Sequence, residues 1–208
     1  MLRLEKIVIT IARSYGSGGK TLGELLAKDL GIPCYDRELI RMASDESGIN
    51  EALFGKADEK KKGRSLFKSI KPYSGGVLPP ESSDFVSDDN LFNLQAKIIK
   101  DLAEKESCII IGRCADYVLK DRKDVLRLYF YATEEDCLIR LKNISGEPEK
   151  ELLKKIHTID KHRADYYKYY TGNDWNDTRN YDFCLNTGAM SYEKLIDVVK
   201  AYIEISRR

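Results

Sequence analysis

The chain has 208 residues, 42% hydrophobic and 33% charged, and its 35 Lys and Arg nearly cancel its 34 Asp and Glu. So even a balance sets up no global field toward nucleic acid or an anionic membrane, and no apolar run approaches the roughly 20 residues that span a bilayer. The length suits one domain, or one domain with a mobile lid, able to bury a sizeable core. The segment from Met1 to Lys6 lacks the apolar core and small-residue cleavage site of a secretory signal. Five widely spaced cysteines with no Cys-x-x-Cys pair read as reduced thiols, so a cytoplasmic protein is expected.

In chain order, Ile7–Ala12 is an apolar strand that runs into a glycine-rich turn. Gly16, Ser17, Gly18, Gly19, Lys20 and Thr21 follow, and a helix from about Lys20 to Leu30 carries Leu22, Leu25, Leu26 and Leu30 at helical spacing. Ser14 stands where the pattern G-x-x-x-x-G-K-[ST] has its first glycine, and the remainder fits. Strand, glycines and helix together read as a phosphate-binding loop for a nucleoside triphosphate. The glycines let backbone N–H groups turn inward, and the helix aims its positive end at the same spot. Lys20 would reach the β- and γ-phosphates of ATP, and the Thr21 hydroxyl would ligate Mg²⁺.

Beyond Gly31 and Pro33, Ile32–Tyr35 forms a short strand, and Asp36 stands at the N-cap position of a helix over Arg37–Ser47. From Gly48 to Asp89 the periodicity dissolves, with a charge run at Asp58–Arg64 and a turn-rich stretch at Tyr73–Pro80. So long a stretch inside a compact domain suggests an insert that closes over a substrate. A helix then runs from Asn90 to about Glu106, and Cys108–Ile111 has the continuous apolar character of a buried parallel strand. Val125–Ala132 is a strand, Thr133 opens a helix, Glu147–Tyr170 is a long helix, Tyr181–Asn186 is the last strand, and Ser191 opens a final helix. Strands alternating with helices imply an α/β fold with a parallel sheet covered on both faces.

In such a sheet ligands bind beyond the carboxyl ends of the strands. That rule selects the glycine loop, Asp36 and Arg37, Gly112 and Arg113, and the Asn186-Thr187-Gly188 turn. Arg113 suits bidentate recognition of a phosphate, or else pairs with Asp116 or Asp121 at a helix start. Asp36 either caps its helix or contacts the acceptor or a metal-bound water. On the long helix Lys161 and Arg163, with Arg140 before them, would bring positive charge over a transferring phosphoryl, unless Asp160 and Arg163 form an ordinary surface pair. His157 and His162 read as surface residues. The cluster of Tyr166, Tyr167, Tyr169 and Tyr170 near Trp175 reads as packing in preference to a base-stacking platform.

Several segments, taken together, resemble the cytidylate kinase-like family of phosphate-binding-loop kinases. They are Ile9–Gly23, Gly31–Ile40, Ile110–Asp116, Asp160–Tyr167, Thr171-Gly172, Trp175 and Tyr181–Thr187. The resemblance implies the P-loop NTPase fold with a five-stranded parallel sheet flanked by helices. It implies an acceptor-binding insert over about 48–89, a helical lid over about 147–170, and a core of about 1–47, 90–146 and 171–208. It would place Gly16, Ser17, Gly18, Gly19, Lys20 and Thr21 on ATP and Mg²⁺. Asp36, Arg37, Arg113 and Asp116 would lie near the acceptor, with Lys161 and Arg163 on the lid. The implied activity is phosphoryl transfer from ATP to a nucleoside monophosphate, CMP or dCMP, with another small metabolite or a non-catalytic nucleotide switch as alternatives. The implied partner is a small-molecule nucleotide, with neither nucleic acid nor membrane, and the oligomeric state stays open. Cytidylate kinases carry an aspartate immediately before the Gly-Arg that follows the third strand; Ile111 stands there in this chain.

Overall fold

In the computed structural model, which describes residues 6–59, 72–73 and 75–206, five parallel strands form one sheet. They are β1 (Val8–Arg13), β2 (Cys34–Tyr35), β3 (Cys108–Ile111), β4 (Val125–Tyr131) and β5 (Phe183–Asn186), standing in the order β2-β3-β1-β4-β5. Successive side chains of a strand point to opposite faces. In β1, Ile9 and Ile11 therefore pack on one side, with Ile109, Ile111, Leu128 and Phe130, under α1 (Gly19–Leu30) and α8 (Tyr192–Ser206). Val8 and Ala12 face the other way and share a layer with Cys108, Ile110, Val125 and Tyr129. That second layer is covered by α2 (Glu38–Ser47), α4 (Asp88–Lys105), α5 (Ala115–Val118) and the carboxyl half of α7 (Glu149–Thr171). Burying one Leu, Ile or Phe is worth about 1.5–3 kcal/mol, so these two layers fix where the loops at the sheet's carboxyl edge emerge.

Helix ends follow local chemistry. Gly31 ends α1 in the left-handed region, and the Ser87 side chain accepts from Asn90 N–H to open α4. Thr133 does the same for Asp136 N–H at the start of α6 (Glu134–Ile144). The stretch expected to lack order contains α3 (Glu51–Glu59), which buries Phe54 and Ala57 in the layer with Leu39 and Ala43. Nine residues make a marginal helix in isolation, so this one depends on its tertiary anchor and leaves little periodic signal. Most of the charge run at Asp58–Arg64 lies outside the described residues. Tyr73, in the turn-rich stretch, returns to the body. Its N–H donates to Tyr170 O at 2.9 Å, and its ring meets Phe92 edge-on at 5.6 Å.

β1 has β3 on one side and β4 on the other, so the chain leaves it in opposite directions. Ligand crevices form at such a switch point. The glycine loop, Gly112-Arg113 and the end of β4 all open there. No helix among the described residues is long and apolar enough to cross a membrane.

Candidate active site

The glycine loop starts where β1 ends. Ser14 N–H donates to Phe130 O at 3.0 Å, which ties the loop to β4, and the Ser17 hydroxyl donates to Ser14 O at 2.8 Å while accepting from Gly19 N–H at 3.2 Å. Ser17 is therefore turned into the loop as its internal brace, fully buried, and does not face the cleft. Its carbonyl accepts from Arg140 Nη1 at 2.9 Å and from the Thr187 hydroxyl at 2.6 Å. Arg140 also donates to Thr187 O at 2.5 Å, so it clamps the loop to the turn after β5.

Gly18 sits at the N-cap of α1 with φ 75° and has no side chain to cap the helix, Ser17 takes only the Gly19 N–H, and no acidic residue stands in the first turn. The positive end of α1 is thus left for an anion. A Cβ on Gly18 would lie 2.1 Å from the Tyr192 hydroxyl, so a larger residue there must push that side chain aside as well as hold a positive φ. Lys20 and Thr21, both exposed, line the same cleft of about 770 Å³ with Tyr15, Gly16 and Gly19. The Lys20 ammonium lies 3.0 Å from an Asp36 carboxylate oxygen, and that hydrogen bond raises its pKa.

Asp36 is not the helix cap the sequence suggested. Arg37 occupies the N-cap of α2 with helical dihedrals, and Asp36 turns its carboxylate toward Lys20 and toward Arg13, 3.6 Å away. Arg37 is exposed at the cleft mouth.

A second, smaller cavity of about 180 Å³ adjoins the cleft, walled by Arg113, Asp116, His162, Tyr166, Tyr167 and Trp175 among others. Arg13, Asp36, Arg113 and Arg163 line both spaces. Arg113 and Cys114 are the described non-glycine residues with positive φ, at 60° and 52°. Such strain concentrates where a backbone is held to aim a side chain. Asp116 is buried and accepts the Tyr167 hydroxyl at 2.5 Å. Burial pushes its pKa up to about 6, against the pull of that hydrogen bond.

From α7, Arg163 Nη1 donates to Arg13 O at 3.0 Å and to Asp160 at 3.1 Å. Asp160 in turn accepts the Tyr15 N–H at 2.7 Å. The pair is a latch between α7 and the glycine loop, not a surface pair. Burial lowers the pKa of Arg163 and raises that of Asp160.

Lys161 does not join them. Its side chain is 76% exposed, lies 3.3 Å from Asp165, and faces an open groove beside Tyr131 and Trp175, away from the cleft. It stands one position after Asp160 and two before Arg163 on the helix, which is enough to send it to another face. His157 is exposed and bonded to Glu134, whereas His162 is half-buried against the small cavity; they share no site. The tyrosines pack. Tyr170 stacks on Phe92 at 3.9 Å, Tyr169 donates to Asp89, and Trp175 meets Tyr129 edge-on at 5.6 Å.

Sequence reasoning gives no role in the site to two of its residues, Arg13 and Asp160, although both lie in segments that carry the family resemblance. Arg13 is the last residue before the loop, and Asp160 has an i, i+3 partner on a charged helix.

Residues 8–189 match the cytidylate kinase-like family. The chain belongs to that family. Membership makes it a kinase. It is similar to a cytidylate kinase of Pyrococcus horikoshii, 25% identical over 201 residues that cover 96% of this chain and 90% of that one. Among solved structures, an uncharacterized protein from Eubacterium ventriosum is 25% identical with a TM-score of 0.68, covering 96% of this chain and 99% of the other. A shikimate kinase from Bacteroides thetaiotaomicron, 15% identical with a TM-score of 0.56 over 95% and 98% of the chains, shares the fold.

The donor set fits a kinase's co-substrates. The uncapped α1 terminus and Lys20 suit a polyphosphate. No group of three or more His, Cys, Asp or Glu among the described residues could hold a metal ion alone. Mg²⁺ binds through one or two protein oxygens plus substrate phosphates. Thr21 and Asp36 both line the cleft and carry side-chain oxygens of the kind Mg²⁺ takes.

Proposed function

We propose that the protein transfers the γ-phosphoryl group of ATP to the phosphate of a nucleoside monophosphate, with CMP or dCMP as the acceptor. The observation that carries this reading is the pair of adjoining spaces whose common wall holds Arg13, Arg113 and Arg163, with an uncapped helix terminus and Lys20 on one side and an aromatic pocket on the other. Backbone amides of the loop and Lys20 hold the donor phosphates, and Arg113 with Arg37 holds the acceptor phosphate. Mg²⁺, when bound through Thr21, neutralises charge on the donor phosphates.

An acceptor phosphate oxygen is already ionised at neutral pH, so no general base is needed. That oxygen forms the new bond to the γ-phosphorus, the bond to the bridging oxygen of ADP breaks, and its electron pair leaves with ADP. The protein supplies in-line placement and positive charge with water excluded. We assign the lid function to α7, with Arg163 as its cation and Lys161 outside the reaction.

One observation favours a different small acceptor. Ile111 is fully buried beneath α1, so the carboxylate that cytidylate kinases carry at this position is missing.

The deciding experiment is a mass-spectrometric transfer assay with ATP, Mg²⁺ and each ribo- and deoxyribonucleoside monophosphate. CDP or dCDP formation that disappears in Lys20→Ala supports the proposal. Absence of any diphosphate product, with ATP binding intact, moves the acceptor outside the nucleotides.

A further inference from the structure

Arg13 is the last residue of β1, and its side chain is only 19% exposed. It folds across the turn after β3 so closely that a Cβ on Gly112 would lie 2.3 Å from its Nη1. Gly112 thus leaves the room that this guanidinium occupies. Its charge partner Asp36 stands 3.6 Å from Nη2, too far for a short bidentate pair, and Asp36 is shared with Lys20. Arg13 Nε is buried and has no hydrogen-bond partner. A buried guanidinium nitrogen without an acceptor is costly, and more so beside other cations. Arg113 and Arg163 are those cations, and burial together with Arg163 brings the pKa of Arg13 down to about 10. Asp36 and Asp160 are the carboxylates acting on Arg13, and Asp160 is already engaged by Arg163 and Tyr15 N–H. Three guanidiniums thus crowd the junction of the two spaces.

Resting on the function proposed above, we infer that Arg13 is a phosphate-binding residue, the third guanidinium that receives the acceptor's phosphate at the boundary between donor cleft and acceptor pocket. Its place at that boundary puts it within reach of both the attacking phosphate and the group being transferred. An arriving dianion offsets the repulsion among Arg13, Arg113 and Arg163 and gives the Arg13 guanidinium a stronger partner than the shared Asp36. Asp36 is then a placeholder that holds Arg13 and Lys20 until phosphate arrives.

A merely structural Arg13, pinning the loop to α2 through Asp36, predicts something different. Losing either member of the pair would then do the same harm. A phosphate-binding Arg13 predicts opposite signs, because removing the Asp36 charge releases the guanidinium for an anion.

The test is calorimetric titration of inorganic phosphate into wild-type protein with and without saturating ADP, repeated for Arg13→Met and Asp36→Asn, with thermal unfolding of each. Arg13→Met is expected to weaken phosphate by at least about tenfold, the scale of a charge-assisted hydrogen bond, while ADP affinity is unchanged. Asp36→Asn is expected to bind phosphate as tightly as wild type or more tightly. Gly112→Ala, which pushes the guanidinium aside, is expected to follow Arg13→Met. Unchanged phosphate affinity in Arg13→Met overturns the inference. So does equal weakening in Arg13→Met and Asp36→Asn, and so does a wild-type protein that takes up no phosphate at millimolar concentration. Transfer assays on the same samples separate the two readings. An Arg13-dependent phosphate site in a protein that phosphorylates no nucleotide leaves this inference standing and removes the nucleotide acceptor.

Discussion

The two halves of the site are built from different materials. The donor half is mainly backbone: a contiguous loop, an uncapped helix terminus and one exposed lysine. The proposed acceptor half is side chains drawn from β1, the turn after β3, the start of α2 and α7, and apart from the exposed Arg37 its cations are largely buried. Backbone donors carry no net charge and need only a conformation that glycine supplies, so the donor half can wait empty at little electrostatic cost. Buried guanidiniums pay for desolvation at once, and Asp36 and Asp160 offset that until an anion arrives. The donor half should therefore fail through geometry and the acceptor half through charge.

The sharpest break of that contrast is at Gly18. The left-handed backbone costs an alanine about 1–2 kcal/mol, and the new Cβ would also displace the Tyr192 hydroxyl from 2.1 Å. Gly18→Ala is expected to lower ADP affinity well beyond tenfold by calorimetry, with the fold retained. Gly31→Ala has the same sign of φ and nothing within 4 Å, so it should cost stability alone. Comparable loss of nucleotide binding in both variants would mean that the loop's shape is not what binds.

Charge is tested at Arg163. Arg163→Met removes the cation over the common wall and leaves the half-buried Asp160 with the Tyr15 N–H but without its guanidinium partner. Removing one preorganised electrostatic donor of this kind typically costs about 10²–10³ in turnover, and steady-state assay with a productive acceptor should show a loss in kcat of that order. Lys161→Met, two residues earlier on the same helix, should leave kcat near wild type. Equal losses would place Lys161 over the transferring group, as the sequence alone suggested, and would require α7 to rotate on closure.

The contrast between the halves also explains what could be read in advance. The donor half follows from consecutive residues, and strand-loop-helix context is visible in any window that holds Ile7 through Leu30. The sheet was legible for the same reason, since Cys108–Ile111 is apolar throughout and lies between helical patterns. The contacts Lys20–Asp36, Arg13–Asp36, Tyr15–Asp160 and Arg163–Arg13 join residues 16 to 150 positions apart. Nothing local distinguishes Arg13 from a strand-end cation, or Asp160 from half of an ordinary helix pair. Asp36 has the composition of a cap, and only the approach of Lys20 and Arg13 redirects its carboxylate. Helix α3 escaped because a single Phe54 anchors most of it.

The smallest expected effect is on stability at the far wall of the acceptor pocket. Asp116 has a folded pKa of about 6 against an ordinary 3.8, raised by burial. Between those values the folded protein holds more protons than the unfolded chain, so this group's contribution falls as pH rises through the window. Below about pH 4 it costs nothing, and above about pH 6 the full penalty is present, on the order of 3 kcal/mol. Asp116→Asn keeps an oxygen for the Tyr167 hydroxyl and removes the charge. Its denaturant midpoint at pH 7 should exceed that of wild type, and the two should converge toward pH 4. Parallel pH profiles would show that Asp116 is ionised at no cost, which requires a cation or water reaching it through the pocket. The acceptor half would then be wetter, and its guanidiniums less dependent on an arriving phosphate, than the buried geometry implies.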